Sequence, residues 1–174
     1  SWVALSQAEL DLVPVGDDAY EVNDAGDEND LIGFPYVLPS NQPRLSVLTE
    51  TVVPEDENLD PYEQPLGLGI QKDDDWFQID IPLGNVGMRV ECLFTDSEGD
   101  IDFELYDPLG FPVAVRDSIT DNELLVFDRA VPAGTYKIRV YGPGLGNEYD
   151  LYMAAYIDDQ YEENDTFGAP YDLS

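Results

Sequence analysis

From residue 75 onward the chain is written in twos. In "DWFQIDIPL" (75 to 83), Phe77, Ile79 and Ile81 fall on one side and Trp76, Gln78 and Asp80 on the other. "GMRVECLF" sets Met88, Val90 and Cys92 against Arg89, Glu91 and Leu93. "DIDFELYD" sets Ile101, Phe103 and Leu105 against Asp102, Glu104 and Tyr106, and "GTYKIRVYG" sets Tyr136, Ile138 and Val140 against Lys137, Arg139 and Tyr141. A period of two over this length predicts half-buried strands. Between them stand "DPLG" at 107 to 110, "PAG" at 132 to 134 and "GPGLGN" at 142 to 147, all turn chemistry, the last expected to close a hairpin. No window carries a helical stripe, so the pattern predicts an all-β chain folded as an antiparallel β-sandwich.

Residues 25 to 72 break the pattern. Apolar runs there are interrupted by Pro35, Pro39, Pro43, Pro54, Pro61 and Pro65, and proline is confined to edges and bulges of sheets. One or two edge strands are expected around 45 to 53 and 66 to 70, joined by an acidic loop at 54 to 63.

Composition changes this picture in one respect. The chain has 174 residues, enough for one domain with some extension, and its 43% hydrophobic content supplies a core. Against that stand 38 Asp plus Glu and only 7 Lys plus Arg, with no His, a net charge of -31. Such a surface repels phosphate, so nucleic acid and anionic membranes are excluded as partners. Cations, or saline surroundings that screen the charge, suit it. Cys92 is the single cysteine, too few for an intrachain disulfide or a thiolate metal site, and its place in a strand marks it as a small core hydrophobe. No stretch reaches the roughly 20 apolar residues of a membrane helix, and "SWVALSQAELDL" lacks the features of a signal peptide.

One phrase occurs twice. "DDAYEVND" at 17 to 24 returns as "DDQYEENDT" at 158 to 166, with Tyr20, Glu21, Asn23 and Asp24 matched by Tyr161, Glu162, Asn164 and Asp165. The phrase and the ordered strings "DDDWFQIDI", "GDIDFELYDPLG", "SITDNELLVF", "AGTYKIRVYG" and "NEYDLYMAAY" resemble the bacterial pre-peptidase C-terminal domain family, whose modules open with an acidic Tyr-Glu-x-Asn-Asp phrase. The resemblance covers residues 17 to 157, one complete module. On that reading residues 1 to 16 end a preceding module or linker strand and 158 to 174 open a following one, so the phrase recurs because the chain spans a joint at each end of a repeat.

The resemblance implies a jelly-roll-like sandwich attached to secreted enzymes, especially peptidases, or to large surface proteins; related modules of collagenases bind collagen and calcium. It also implies a Ca²⁺ clamp between the opening phrase and a later Asp-rich turn, at Glu21, Asn23 and Asp24 with Asp73 and Asp75 in "KDDDWF". Oxygen donors of these types suit Ca²⁺. Asp74 is left as an outer ligand or a bystander. Collagen-binding relatives carry a further acidic residue two before the Glu, where this chain has Ala19. A second cluster, Asp117, Asp121, Asn122 and Glu123 in "RDSITDNE", reads as an acidic loop.

Catalysis has little support. Without His there is no Ser-His-Asp or Cys-His arrangement and no histidine zinc site. Asp100, Asp102 and Glu104 could suggest paired carboxylates for glycoside hydrolysis, but alternation assigns them to the solvated face of a strand. The expected function is a non-catalytic, calcium-stabilised accessory or spacer module from a tandem array in a secreted or cell-surface protein, its partners the neighbouring modules of its own chain. The alternative is a ligand-binding module for collagen-like peptide or polysaccharide, using Tyr106, Tyr141 and Tyr152 on one sandwich face.

Overall fold

A computed structural model describes residues 20, 33, 35–40, 43–52 and 61–157 of the chain. Its strands are β1 (Tyr36–Val37), β2 (Thr49–Val52), β3 (Tyr62–Pro65), β4 (Gly69–Gln71), β5 (Asp75–Ile81), β6 (Asn85–Leu93), β7 (Asp102–Tyr106), β8 (Pro112–Arg116), β9 (Glu123–Phe127), β10 (Gly134–Tyr141) and β11 (Asn147–Ile157). Helix among the described residues is limited to the 3-10 turns Leu45–Val47 and Asp96–Glu98, and no helix there is long and apolar enough to cross a membrane.

The strands form a β-sandwich. One sheet has the order β1-β5-β10-β7-β8, the other β4-β11-β6-β9, and β2 with β3 makes a separate two-stranded ribbon. Counting β4 to β11 as first to eighth, the second sheet runs first, eighth, third, sixth. Four strands of the larger sheet run second, seventh, fourth, fifth. That is the strand order of a jelly roll. Pairings within these eight strands are antiparallel, and β1 joins the edge in parallel with β5 through Tyr36↔Phe77.

The core follows the alternation in the sequence. Phe77, Ile79 and Ile81 of β5, Phe103 and Leu105 of β7, and Ile138 and Val140 of β10 face Met88, Val90 and Cys92 of β6 and Leu151 and Met153 of β11. Each such side chain contributes roughly 1.5–3 kcal/mol by leaving water. Cys92 is fully buried, and burial with nearby Glu123, Asp150 and Asp75 pushes its thiol far above the ordinary range, so it packs as an inert hydrophobe.

Three expectations change. The ribbon strand β3 occupies 62 to 65, beginning within the segment read as an acidic loop at 54 to 63 and ending just before the strand expected from 66. "GPGLGN" does not close a hairpin: β10 and β11 lie in different sheets, and the loop carries the chain across the sandwich. Gly144 (φ +70°) and Gly146 (φ +79°) supply the left-handed turns this crossing needs. Finally, β8 escaped the sequence pattern because it is an edge strand, with Val113 and Val115 exposed.

The edges of the two sheets meet at β8 and β9. Arg116 donates through Nε to the carbonyl of Leu124 at 2.8 Å and through Nη1 to that of Val115, stitching one sheet edge to the other. Residues 43 to 46 lie along β11 on the far side of the smaller sheet, through Met153 N–H to the Pro43 carbonyl and the Arg44↔Tyr152 bridge.

Candidate functional site

The chemistry concentrates at one end of the sandwich, where the β4–β5, β6–β7 and β10–β11 connections gather. Gln71, the last residue of β4, is 1% exposed and ties two of them together. Its amide donates to the Asp73 carbonyl at 2.9 Å and its oxygen accepts the Gly144 N–H at 2.8 Å.

Asp75 is fully buried. Counting in twos from Phe77, Ile79 and Ile81 puts it on the inward side of β5, and its carboxylate accepts the Tyr149 hydroxyl at 2.7 Å. The Tyr149 ring stands edge-on to Phe77 at 6.4 Å between centroids, Phe77 to Tyr20 at 5.6 Å, and Tyr20 to Tyr36 at 4.9 Å. Tyr20 has no exposed surface, and its hydroxyl donates to the Gly67 carbonyl at 2.7 Å. The tyrosine of the opening phrase is therefore planted in the core, with Phe77 between it and Tyr149, the hydroxyl partner of Asp75. Glu21, Asn23 and Asp24 lie outside the described residues, as do the segments 1 to 16 and 158 to 174.

Asp74 is not a solvated bystander. Arg139 grips it with Nη2 at 2.5 Å and Nε at 2.8 Å, while Nη1 reaches Glu104 at 3.4 Å. The guanidinium also lies over the Tyr141 ring at 4.7 Å. Tyr106 donates to the same Glu104 oxygen at 2.8 Å and packs against Trp76 with ring centroids 5.3 Å apart. Burial first, then that hydrogen bond to Glu104, raises the Tyr106 phenol above its ordinary range.

The three tyrosines expected on one face are divided between two. Tyr106 and Tyr141 belong to the outer side of the larger sheet; Tyr152 is on β11 in the smaller one, covered by Arg44 at 4.9 Å. Arg44 pairs there with Glu91 at 2.7 Å and Asp150 at 2.9 Å, and Arg89 reaches the other Glu91 oxygen at 2.7 Å. Alternation tells inward from outward along one strand, but which sheet receives the strand depends on the order of all eight.

The carboxylates assigned to a solvated strand face also need correcting. Asp100 and Asp102, at the start of β7, each have an oxygen shut off from solvent with no donor. Burial raises both carboxyls; Asp100, Glu123 and Asp117 add repulsion at Asp102, pushed up to about 6, and Asp96 and Glu123 do so at Asp100. The "RDSITDNE" segment is more than an acidic loop. Asp121 accepts the Asp96 N–H at 2.8 Å, and Asn122, in the left-handed region at φ +67°, accepts the Phe94 N–H at 3.0 Å. Glu123 is 3% exposed and accepts the Ser118 N–H at 2.8 Å. The signal for this was the parity of Glu123 with buried Leu125.

No family model matches the sequence, and no curated protein matches it. Among solved structures, the chain is similar to a pre-peptidase C-terminal domain of a collagenase from Bacillus anthracis, at 13% identity and a TM-score of 0.37, over 61% of this chain and 85% of that one. It is also similar to a family 6 carbohydrate-binding module, at 12% identity and a TM-score of 0.30, over 64% of this chain and 86% of that one. At these values the likeness carries no argument, and the description of the fold rests on strand order and packing.

Proposed function

We propose that the chain is a non-catalytic accessory module of a secreted or cell-surface protein, set among neighbouring modules of its own chain and stiffened by Ca²⁺. The observation that carries this reading is the burial of Tyr20 beside Phe77, because Glu21, Asn23 and Asp24 follow directly in sequence. Successive Cα atoms are about 3.8 Å apart, so a planted Tyr20 keeps those donors within a few residues' reach of Asp73 and Asp75. Glu21, Asn23, Asp24, Asp73 and Asp75 would hold the ion, which would cancel the repulsion between two acidic segments and pin one to the other. Against catalysis stands the lack of His, which leaves no Ser-His-Asp or Cys-His arrangement.

The test is thermal unfolding in excess chelator and in millimolar Ca²⁺ at fixed ionic strength. A hundredfold excess over Kd stabilises a native state by about 2.7 kcal/mol. The upward shift should shrink in Asp73→Ala; an equal shift in wild type and variant, or the same shift with Mg²⁺, would overturn the clamp.

A second reading has its own observation. Trp76, Tyr106 and Tyr141 share the outer side of the larger sheet with Arg139 and Glu104, a mixture of rings and hydrogen-bonding groups that suits a polysaccharide or a collagen-like peptide. Retarded migration through gels containing soluble polysaccharide, or retention on collagen, abolished by Tyr106→Ala, would support it. Unaltered migration and retention across a panel of both would remove it.

A further inference from the structure

We propose that the end of the sandwich from which β11 emerges is a docking surface for the next module of the chain, the one that opens at Tyr161; this rests on the reading of the chain as one module among neighbours. The β5–β6 turn, the β7–β8 turn and the β9–β10 connection gather at that end. Gly134 pairs with Ile81, and a Cβ on Gly134 would stand 2.9 Å from Pro108. Asn85 pairs with Ile157 and donates to the carbonyls of Pro82 and Val131. Here Leu83 is 88% exposed and Leu109 79%, and Phe111 and Ile157 are exposed too. Asp107 accepts the N–H groups of Leu109 and Phe111 at 2.9 Å each, so two of these apolar side chains stand on a braced turn. Exposed apolar residues scattered singly are ordinary; four at one end mark a surface to be covered.

Charge separates this end from the other. From Ile81 to Val90, from Pro108 to Arg116 and from Arg129 to Asn147 the sequence has no Asp or Glu, whereas the connections at the opposite end read "KDDD", "TDSEGD" and "DSITDNE". Asp80, Asp107 and Asp128 border the apolar end, bonded to Thr135, to the 107–111 turn and to Arg129. On a molecule this acidic, an end poor in carboxylates is the one that closes against a neighbour without burying unpaired charge. The occupant follows from chain length. Three residues, 158 to 160, separate Ile157 from Tyr161, the counterpart of Tyr20. Four steps of extended chain cover at most about 14 Å. Tyr20 has no exposed surface in this sandwich. A module that buries Tyr161 in the same way has part of its core within that distance of Ile157, so its surface must rest on this end.

The test is a tandem chain in which a second copy, starting at its Tyr20, follows residue 160 of the first, so that this tyrosine takes the place of Tyr161. Calorimetric melting in excess chelator leaves the Ca²⁺ clamp out of the comparison. The first copy should melt several degrees above the single chain, because its apolar end is covered. Leu109→Ser combined with Phe111→Ser in the first copy should remove that rise. The same pair in the second copy, whose end stays free, or in the single chain should change little, since both side chains are already exposed there. Two copies that melt at the single-chain temperature, unmoved by the substitutions in either position, would overturn the docking surface and leave the Ca²⁺ test on the single chain untouched. A tandem with the unfolding enthalpy of only one module would show that three linking residues do not let the second tyrosine reach its core. That result would overturn the docking surface together with the reading of 158 to 174 as the opening of a following module.

Discussion

Tyr149 serves Asp75 and Gly69 with different parts of one ring. Its hydroxyl meets the buried carboxylate at 2.7 Å, and its face lies where a side chain at Gly69 would be, directly across the β4–β11 ladder. Tyr149→Phe should cost about 1.5–3 kcal/mol, the range for hydrogen bonds to charged groups, measured by urea unfolding. A loss under about 0.5 kcal/mol would mean that other contacts of Asp75 carry the charge. Gly69→Ala should cost about 1–3 kcal/mol by forcing the ring aside, while Tyr149→Ala in the same background should abolish that particular penalty. Asp75 was within reach of the sequence, because the parity that buries Phe77 also buries the residue two before it. Its hydroxyl partner was not, since that requires knowing that β11 lies opposite β5.

Elements are held together here by side chains that reach across connections. Asn85, at the head of β6, donates to the carbonyls of Pro82 and Val131 at 2.9 Å each and accepts the Val131 N–H at 2.8 Å. It fastens the β5–β6 turn to the β9–β10 connection. Asn85→Ala should lower stability by about 1–3 kcal/mol, because it takes the partner from three part-buried backbone groups at once. The segment at 43 to 46 is held through Arg44, Glu91 and Asp150, with Ser46 N–H and hydroxyl also on Asp150. Burial raises the Glu91 carboxyl, but hydrogen bonds from Arg44 and Arg89 outweigh it and leave the pKa below its ordinary 4.5. A carboxyl lowered on folding stabilises fully above that ordinary value and loses its effect as pH falls through the lower folded one. Arg44→Gln should therefore cost roughly 1 kcal/mol at neutral pH and progressively less as pH falls below the ordinary carboxylate value, which unfolding curves across that range would show. The long strands were legible because each puts three or more apolar residues on one side. The short β2 and β4 fall within or beside the edge strands expected around 45 to 53 and 66 to 70, whereas β1, β3 and the edge strand β8 were not legible, for their pairing is set by neighbours rather than by a pattern of their own.

At the scale of the molecule, the chain carries a net charge of -31, and the ion pairs among its described residues include those of Arg44, Arg89, Arg129 and Arg139. Raising KCl from 0.01 to 1 M shortens the screening length from about 30 to about 3 Å, so the melting temperature should rise with salt even in chelator. A melting temperature independent of salt would show that the carboxylates are spaced widely enough not to repel. A different consequence follows from where the chain passes through the sandwich. Tyr20 is anchored near the beginning of β11, through Phe77 and Tyr149, whereas Ile157 lies at its other end beside Asn85. Eleven residues of strand span about 36 Å. Tension applied between residues 20 and 157 would run along that axis and load the β11–β6 ladder lengthwise. Many hydrogen bonds would have to break together, as in a lap joint under pull, instead of parting one by one like a zip.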